Sequence, residues 1–350
     1  MKSKGKILII GPIAPPAGGV SIHIERLVEL LKADYMFDFV DESAIIKHNY
    51  FNIRNYNAFK YLHKIMKSDI LYIHSGNKSL KKIHILFGKI FRKKIIITFH
   101  GFGSFENSNN TILDNYFYTL VNKIIVVNKE IANVFKINTK KCIVRHAFLP
   151  PQLQLENELP ENLNNLILQA NLFNKTILCS NASRLNIYMN QDLYGLDMCI
   201  ELSYRLKINS IPFFFVFNIS SLDEGKSIFI KAKEKISEYH LDSDFLLINE
   251  NISFVKLIEK SDIVLRTTNT DGDAISVREG LLLNKTVIAS DVVKRPKGVI
   301  LFETRNSDDL FLKCISNINE KRDIEDCQQL CSSQMNENKA FYKELIEELL

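Results

Sequence analysis

At 350 residues, 46% hydrophobic and 24% charged, with a mean hydropathy of −0.04, the chain is too long for one ordinary core and too apolar for a disordered or fibrous protein, so two globular domains are expected. No run of about 18 uncharged apolar residues is present, and the apolar stretch Ile7–Ile10 is too short for a signal peptide, so a cytoplasmic protein without a transmembrane helix is expected. The net charge of +5 hides an asymmetry: residues 1–150 hold 23 Lys and Arg against 10 Asp and Glu, a balance of +13, and the remainder holds 22 against 30, a balance of −8.

In chain order, strands are predicted at Lys6–Gly11, Asp69–His74, Ile95–His100, Lys123–Val127 and Lys141–His146. Helical patterns lie between them at Ser21–Lys32, Ala58–Lys67, Leu80–Arg92 and Asn128–Phe135. Near-continuous Ile/Val runs indicate strands buried on both faces, the mark of a parallel sheet between helices. Pro150–Pro151 and a polar stretch to about Lys175 read as a linker with a short helix. Strands are then predicted at Thr176–Ser180, Phe213–Phe217, Phe245–Asn249, Asp262–Arg266 and Thr286–Ala289. The accompanying helices are Leu193–Lys207, Lys226–Tyr239, Phe254–Lys260, Ala274–Leu283 and Asp308–Asn317, and Asn338–Leu350 closes the chain. The expected division is residues 1–165, 170–325 and a helical segment 326–350. Six scattered cysteines make no disulfide framework and are read as reduced thiols.

Doubly wound domains bind ligands where strands end and helices begin, which singles out four loops. The first, Gly11 to Ser21, carries Gly18 and Gly19, through which backbone amides could approach an anion; a tight turn is the alternative. It is neither a G-x-G-x-x-G fingerprint nor a Walker loop, which argues against an NAD-dependent oxidoreductase. The second is Thr98 to Gly103, where His100 leaves a buried strand, able to meet a sugar hydroxyl or to cap its strand. His74 and Ser75 occupy the equivalent place one strand earlier; His23, His48, His63, His84, His146 and His240 read as structural.

The third loop, Arg266 to Gly280, is the most specific. Asp271 and Glu279 are separated by seven residues, with Gly272, Asp273, Ala274 and Ile275 leading into a helix. A helix N-terminus offers about half a positive charge to a phosphate or sugar oxygen. Glu279 would fall on the second turn, where a carboxylate can accept from both ribose hydroxyls; a solvated acidic turn is the alternative. The fourth loop, Ser180 to Arg184, ends on Arg184, suited either to a diphosphate or to a surface ion pair.

Together these loops, with Asp271-Gly-Asp-Ala-Ile-Ser-Val-Arg-Glu279 and Thr286-Val-Ile-Ala-Ser-Asp291, resemble glycosyltransferase family 4, retaining enzymes of the GT-B fold. The wording is similar to that of bacterial enzymes that assemble surface polysaccharides such as O-antigen and capsule. The resemblance spans Lys6 to about Asp309 and implies two Rossmann-like domains facing a central cleft, an N-terminal acceptor domain and a C-terminal donor domain. It implies that Glu279 holds the nucleotide ribose, while Asp271 and the amides of Gly272 to Ile275, Asp273 among them, hold the donor sugar and β-phosphate. Arg184 would balance the pyrophosphate, Gly18 and Gly19 would approach it, and His100 would touch donor sugar or acceptor. The substrate implied is a UDP- or GDP-linked sugar, with no further cofactor and no metal. Two departures stand out: the first acid is Asp271 rather than glutamate, and Tyr194 precedes Gly195 where the family has lysine. Lys294 or Arg295 could supply the missing cation. These departures keep open a catalytically silent nucleotide-sugar-binding protein, and a GT-B sugar-nucleotide epimerase is a further alternative.

The balance of +13 in the first half calls for an explanation. Lys81 to Lys94 is amphipathic, with Ile83, Leu86, Phe87 and Ile90 on one side, and could lie on an anionic membrane surface at the inner face of the cell membrane, or simply pack on the sheet. A lipid-linked glycan acceptor would suit it. No nucleic-acid-binding motif is present, and nucleic acid is not expected.

Overall fold

The computed structural model describes residues 5–15, 17–100, 112–127, 129, 131, 141–222, 225–272, 274–318 and 327–350. The chain forms two compact units, one of Met1–Leu149 with Ser333–Leu350 and one of Pro150–Ser332.

The first unit contains β1 (Lys6–Gly11), α1 (Gly19–Leu31), β2 (Met36–Asp41), β3 (Phe51–Asn52), α2 (Ala58–Met66), β4 (Ile70–Ile73), α3 (Lys78–Ile90), β5 (Lys94–Phe99), α4 (Ile112–Thr119), β6 (Lys123–Val126) and β7 (Cys142–Val144). Its sheet is wholly parallel, in the order β3-β2-β1-β4-β5-β6-β7. Side chains alternate across it. Leu8, Ile10, Leu71, Ile73, Ile95 and Ile97 enter one buried cluster, while Ile7, Ile9, Ile70, Tyr72 and Ile96 enter the other. Both faces are covered, which is why the strands read as unbroken apolar runs. Sequence periodicity missed β2, whose Met-Phe-Asp-Phe-Val-Asp carries two carboxylates. Asp41 is nevertheless fully buried, accepting from the Ile13 and Ser43 amides, the Ser43 hydroxyl and Lys47.

The second unit contains α5 (Glu161–Leu172), β8 (Thr176–Arg184), a small antiparallel hairpin β9 (Ile187–Tyr188) and β10 (Gln191–Asp192), α6 (Leu196–Ile208), β11 (Phe213–Ser221), α7 (Lys226–Glu238), β12 (Phe245–Ile248), α8 (Phe254–Glu259), β13 (Ile263–Arg266), α9 (Ile275–Leu282), β14 (Thr286–Ser290), β15 (Ile300–Phe302) and α10 (Ser307–Asn317). The main sheet is parallel in the order β12-β11-β8-β13-β14-β15, so both units are Rossmann-like.

Two expected boundaries move. The stretch taken as linker is part of the second unit, because Leu163, Ile167 and Ala170 of α5 pack with Ile177, Cys179 and Val216. The last helix, α11 (Cys327–Glu347), is not a separate segment from residue 326 onward. Tyr342, Leu345 and Ile346 join the cluster of Ile7, Ile9 and Tyr72, and Lys343 bonds Asp34. β8 also runs past its expected end at Ser180, since its pairing with β11 continues to Arg184 opposite Ser221. The predicted helix Asn128–Phe135 lies outside the described residues. Among the described residues no helix is long and apolar enough to cross a membrane, and Cys179, Cys199 and Cys314 are buried free thiols.

Candidate functional site

The strand order reverses between β1 and β4 in the first unit and between β8 and β13 in the second. Ligands of open α/β sheets bind beyond the carboxyl ends of strands at such points. Every candidate residue from the sequence follows one of these strands or an immediate neighbour.

In the first unit Gly18 caps α1 in an extended conformation, φ −148°, and its N–H donates to Ser21 Oγ at 2.9 Å. A methyl group on Gly19 would meet no atom within 4 Å. Neither a left-handed turn at Gly18 nor close packing at Gly19 calls for glycine, and the space beside Gly19 is open to a ligand.

His100, directly after β5, belongs to a cluster that sequence reading recognised only in part. Its Nε2 lies 2.9 Å from His74 Nδ1, and His23, set aside as structural, completes the group. The His23 ring lies 4.8 Å from that of His100 and 5.4 Å from that of His74, and its Nδ1 sits 2.6 Å from the Ala147 carbonyl oxygen. Burial lowers the His23 pKa to about 4. Burial, followed by the neighbouring imidazoles, drives His74 well below the usual histidine value. His100 is lowered likewise, by burial, then His23 and Lys81. All three rings are therefore neutral at pH 7. Lys81 is itself buried, its ammonium 4.4 Å from the Phe99 ring centroid, and burial lowers its pKa to about 8. His23 escaped notice because α1, β4 and β5 bring the three histidines together only in space. Gly101 and Gly103 lie outside the described residues.

In the second unit the loop from β13 to α9 closes around Asp271. Its Oδ1 accepts from Arg266 NH2 at 2.9 Å and the Gly272 amide at 3.0 Å. Its Oδ2 accepts from Arg266 Nε at 3.0 Å, Arg295 NH1 at 2.7 Å and Thr268 Oγ1 at 3.2 Å. Burial alone would raise the Asp271 pKa, but the two guanidiniums outweigh it and hold the carboxyl well below the usual range. A carboxylate offers about four lone-pair sites, and here five donors occupy them. Both oxygens of Asp271, the residue expected to hold a donor sugar, are engaged by two arginines in this structure. Arg266 was legible only as a strand end. Arg295 also donates to the Ser290 carbonyl, its side chain 3% exposed.

The other sequence candidates of this unit lie on neighbouring elements. Ala274 caps α9 without a side-chain acceptor, leaving the helix's first amides without that partner, and Ile275 opens the helix. Glu279 is on the second turn and 4% exposed. Arg184 is exposed at the end of β8, which is hydrogen-bonded to β13. Asp273 lies outside the described residues. Tyr194 bonds Ser183 Oγ at 2.6 Å, and the Arg266 guanidinium carbon lies 5.3 Å from its ring centroid, so a cation stands beside the position where lysine was missing. Gly195 has φ +68°, and a methyl group there would come within 2.3 Å of the Thr267 carbonyl oxygen, so glycine is required where the β10–α6 turn presses on the loop after β13.

The whole chain superposes with a TM-score of 0.70 on HepE from Anabaena, crystallised with UDP and glucose, at 13% identity over 98% of this chain and 99% of that one. The chain has the GT-B fold. A glycosyltransferase from Rickettsia africae shares this GT-B architecture with a TM-score of 0.68, at 16% identity over 99% of both chains. In sequence, an uncharacterised glycosyltransferase of Methanocaldococcus jannaschii is 25% identical across 348 aligned residues, covering 90% of this GT-B chain and 89% of that protein. No protein-family model matches the sequence.

Proposed function

We propose that this GT-B chain is a retaining glycosyltransferase of family 4 type, moving a sugar from a UDP- or GDP-linked donor to a lipid-linked glycan in bacterial surface-polysaccharide assembly. The observation that carries the reading is the β13–α9 loop, where Arg266 and Arg295 share one carboxylate beside a helix N-terminus, with buried Glu279 one turn further on. Two guanidiniums on one carboxylate leave a net positive charge in a desolvated setting. That charge complements a diphosphate and is most effective as negative charge develops on the leaving group. Arg184 adds a second cation, and Glu279 accepts from the ribose hydroxyls. Asp271 acts by fixing the two arginines. The donors in this reading are arginines and backbone amides, so the chemistry runs without a metal. The Methanocaldococcus relative's name supports glycosyl transfer, and the HepE complex with UDP and glucose supports a UDP-linked donor.

An acceptor at the cytoplasmic membrane face suits α3. Lys81, His84, Ile85 and Gly88 are buried, whereas Ile83, Leu86 and Ile90 are 40%, 45% and 59% exposed among lysines. An apolar stripe left exposed on a lysine-rich helix suits one that lies on an anionic membrane.

Calorimetric titration with UDP and GDP tests the donor site. Glu279→Ala is expected to weaken binding of the preferred nucleotide by at least ~10-fold, about 1.4 kcal/mol. Unchanged affinity would remove Glu279 from the site. The saturation of Asp271 favours one second reading, a nucleotide-sugar-binding protein without turnover. It predicts tight nucleotide binding with neither transfer nor hydrolysis of bound donor.

A further inference from the structure

We infer that Tyr56 and Phe59, at the start of α2, form an aromatic anchor that enters the interfacial layer of an anionic bilayer beside α3. The inference deepens the proposed function, resting on its reading that the acceptor lies at a membrane face.

The anchor stands first on exposure. Tyr56 is 90% and Phe59 89% exposed, and among the described residues no other large apolar side chain is as open to solvent. Covering an aromatic ring is favourable, so two rings left in water within four residues mark a contact surface. Tyr56 also holds a left-handed backbone, φ +51°, where it closes the single 3-10 turn Ile53–Asn55. A bulky residue is strained in that conformation, which asparagine or glycine adopts more readily. The fold gains no buried ring in return.

Phe59 opens a stripe that matches the one on α3. Phe59, Leu62 and Met66 are spaced i, i+3, i+7 along α2, on a different side from the buried Tyr61 and Ile65, and Met66 is 49% exposed. Ile83, Leu86 and Ile90 repeat that spacing on α3. Tyr61 and Ile65 of α2 enter the same buried cluster as Ile85 of α3, and Tyr61 Oη lies 2.6 Å from His84 Nδ1. The two helices therefore cover one face of the sheet side by side, and their stripes share the outer surface of that face.

Charge selects the occupant. Residues 45–94 hold twelve Lys and Arg against one acid, Asp69, a balance of +11 that makes up most of the +13 of the first half. Apolar side chains among lysines complement anionic lipid, with aromatic rings at the level of the headgroups. Leu172 and Phe173 of the second unit are also exposed, at 81% and 74%, but residues 150–175 hold three acids and one lysine, so the same lipid would repel them. The position suits an acceptor. Asn52 of β3 pairs with Asp41 at the end of β2, so α2 begins at the carboxyl edge of the sheet, the edge at which His74 and His100 follow their strands.

The chain has no tryptophan, so Phe59→Trp places a single fluorophore on the anchor of the full chain, and Phe173→Trp serves as the reference. With phosphatidylglycerol vesicles at low salt, the emission of Phe59→Trp should move to shorter wavelength and be quenched by brominated acyl chains. Phosphatidylcholine vesicles should do neither, and Phe173→Trp should not respond to either lipid. Tyr56→Asn combined with Phe59→Ala should weaken partitioning onto the anionic vesicles at least ~10-fold without lowering the urea midpoint, because neither ring is buried. A chain that floats with its Phe59→Trp fluorophore unquenched overturns the inference and leaves the α3 reading standing; a chain that does not float overturns both. Equal quenching of Phe173→Trp overturns the inference as well, as does a fluorophore already shielded without lipid in a dimer, which would show a second copy covering this face. Quenching that survives glutamate at Ile83, Leu86 and Ile90 would take α3 off the membrane and leave the anchor as assigned. Loss of UDP and GDP binding would sink the donor reading alone.

Discussion

Replacing Asp271 by asparagine probes the site most directly, because the residue keeps its shape and loses only its charge. In the native chain one carboxylate faces two guanidiniums whose side chains are 13% and 3% exposed, so water screens neither. Three guanidinium N–H groups donate to it. Hydrogen bonds to charged groups contribute about 1.5–3 kcal/mol each, and an asparagine oxygen keeps some of them in weaker, neutral form. Removing one partner of a buried ion pair costs about 3–5 kcal/mol, since the other charge stays behind, and here two are left. A loss of ~3–5 kcal/mol is therefore expected in the transition that unfolds the second unit. The chain has no tryptophan, so urea unfolding at pH 7 followed by far-UV circular dichroism is the assay. The pH dependence has a definite sign. The folded pKa of Asp271 is depressed, so its stabilisation is complete above the unfolded value of 3.8 and is lost as pH falls below it towards the folded pKa. Asp271→Asn should lack that part of the acid sensitivity. Pyrophosphate at millimolar concentration should recover part of the stability, an anion taking the place of the carboxylate. A variant within 0.5 kcal/mol of the native chain, roughly the scatter of surface substitutions, would refute the argument.

Gly195→Ala meets both a left-handed backbone and the Thr267 carbonyl, so a loss of about 2–4 kcal/mol is expected in the same unfolding assay, and a neutral result would contradict the packing at that turn. Donor turnover should survive EDTA without change; activity abolished by chelation and restored by manganese would end the reading in which arginines and amides stabilise the leaving group. Changing Ile83, Leu86 and Ile90 together to glutamate should abolish flotation with anionic vesicles at low salt while leaving the urea midpoint within a few tenths of a molar, because these side chains are already exposed. Equal flotation of the variant would clear α3 of any membrane role.

The fold was legible where burial is two-sided. Ile7–Ile10, Ile70–Ile73 and Ile95–Ile97 read as strands because neither face admits a polar residue. It was not legible where a polar residue is buried with its own partners: Asp41, satisfied by five donors, hid β2. The β13–α9 loop was singled out through Asp271 and Glu279, but spacing along the chain does not reveal which cations surround a carboxylate. Arg295 enters from the loop after β14, 24 residues away. The same limit applies to His23, which is unremarkable on α1 and meets His74 and His100 only through the order of β1, β4 and β5.

The return of α11 to the first sheet makes that unit a body whose completion waits for residues made long after its strands. Until Tyr342, Leu345 and Ile346 leave the ribosome, the face formed by Ile7, Ile9, Tyr72 and Ile96 has no such cover, although those strands were made hundreds of residues earlier. The intervening 150–332 stretch can fold first as an insert, so the first unit is completed only after the second has been made. Loss of α11 would therefore injure the first unit, a lesion that linear order alone would assign to the second.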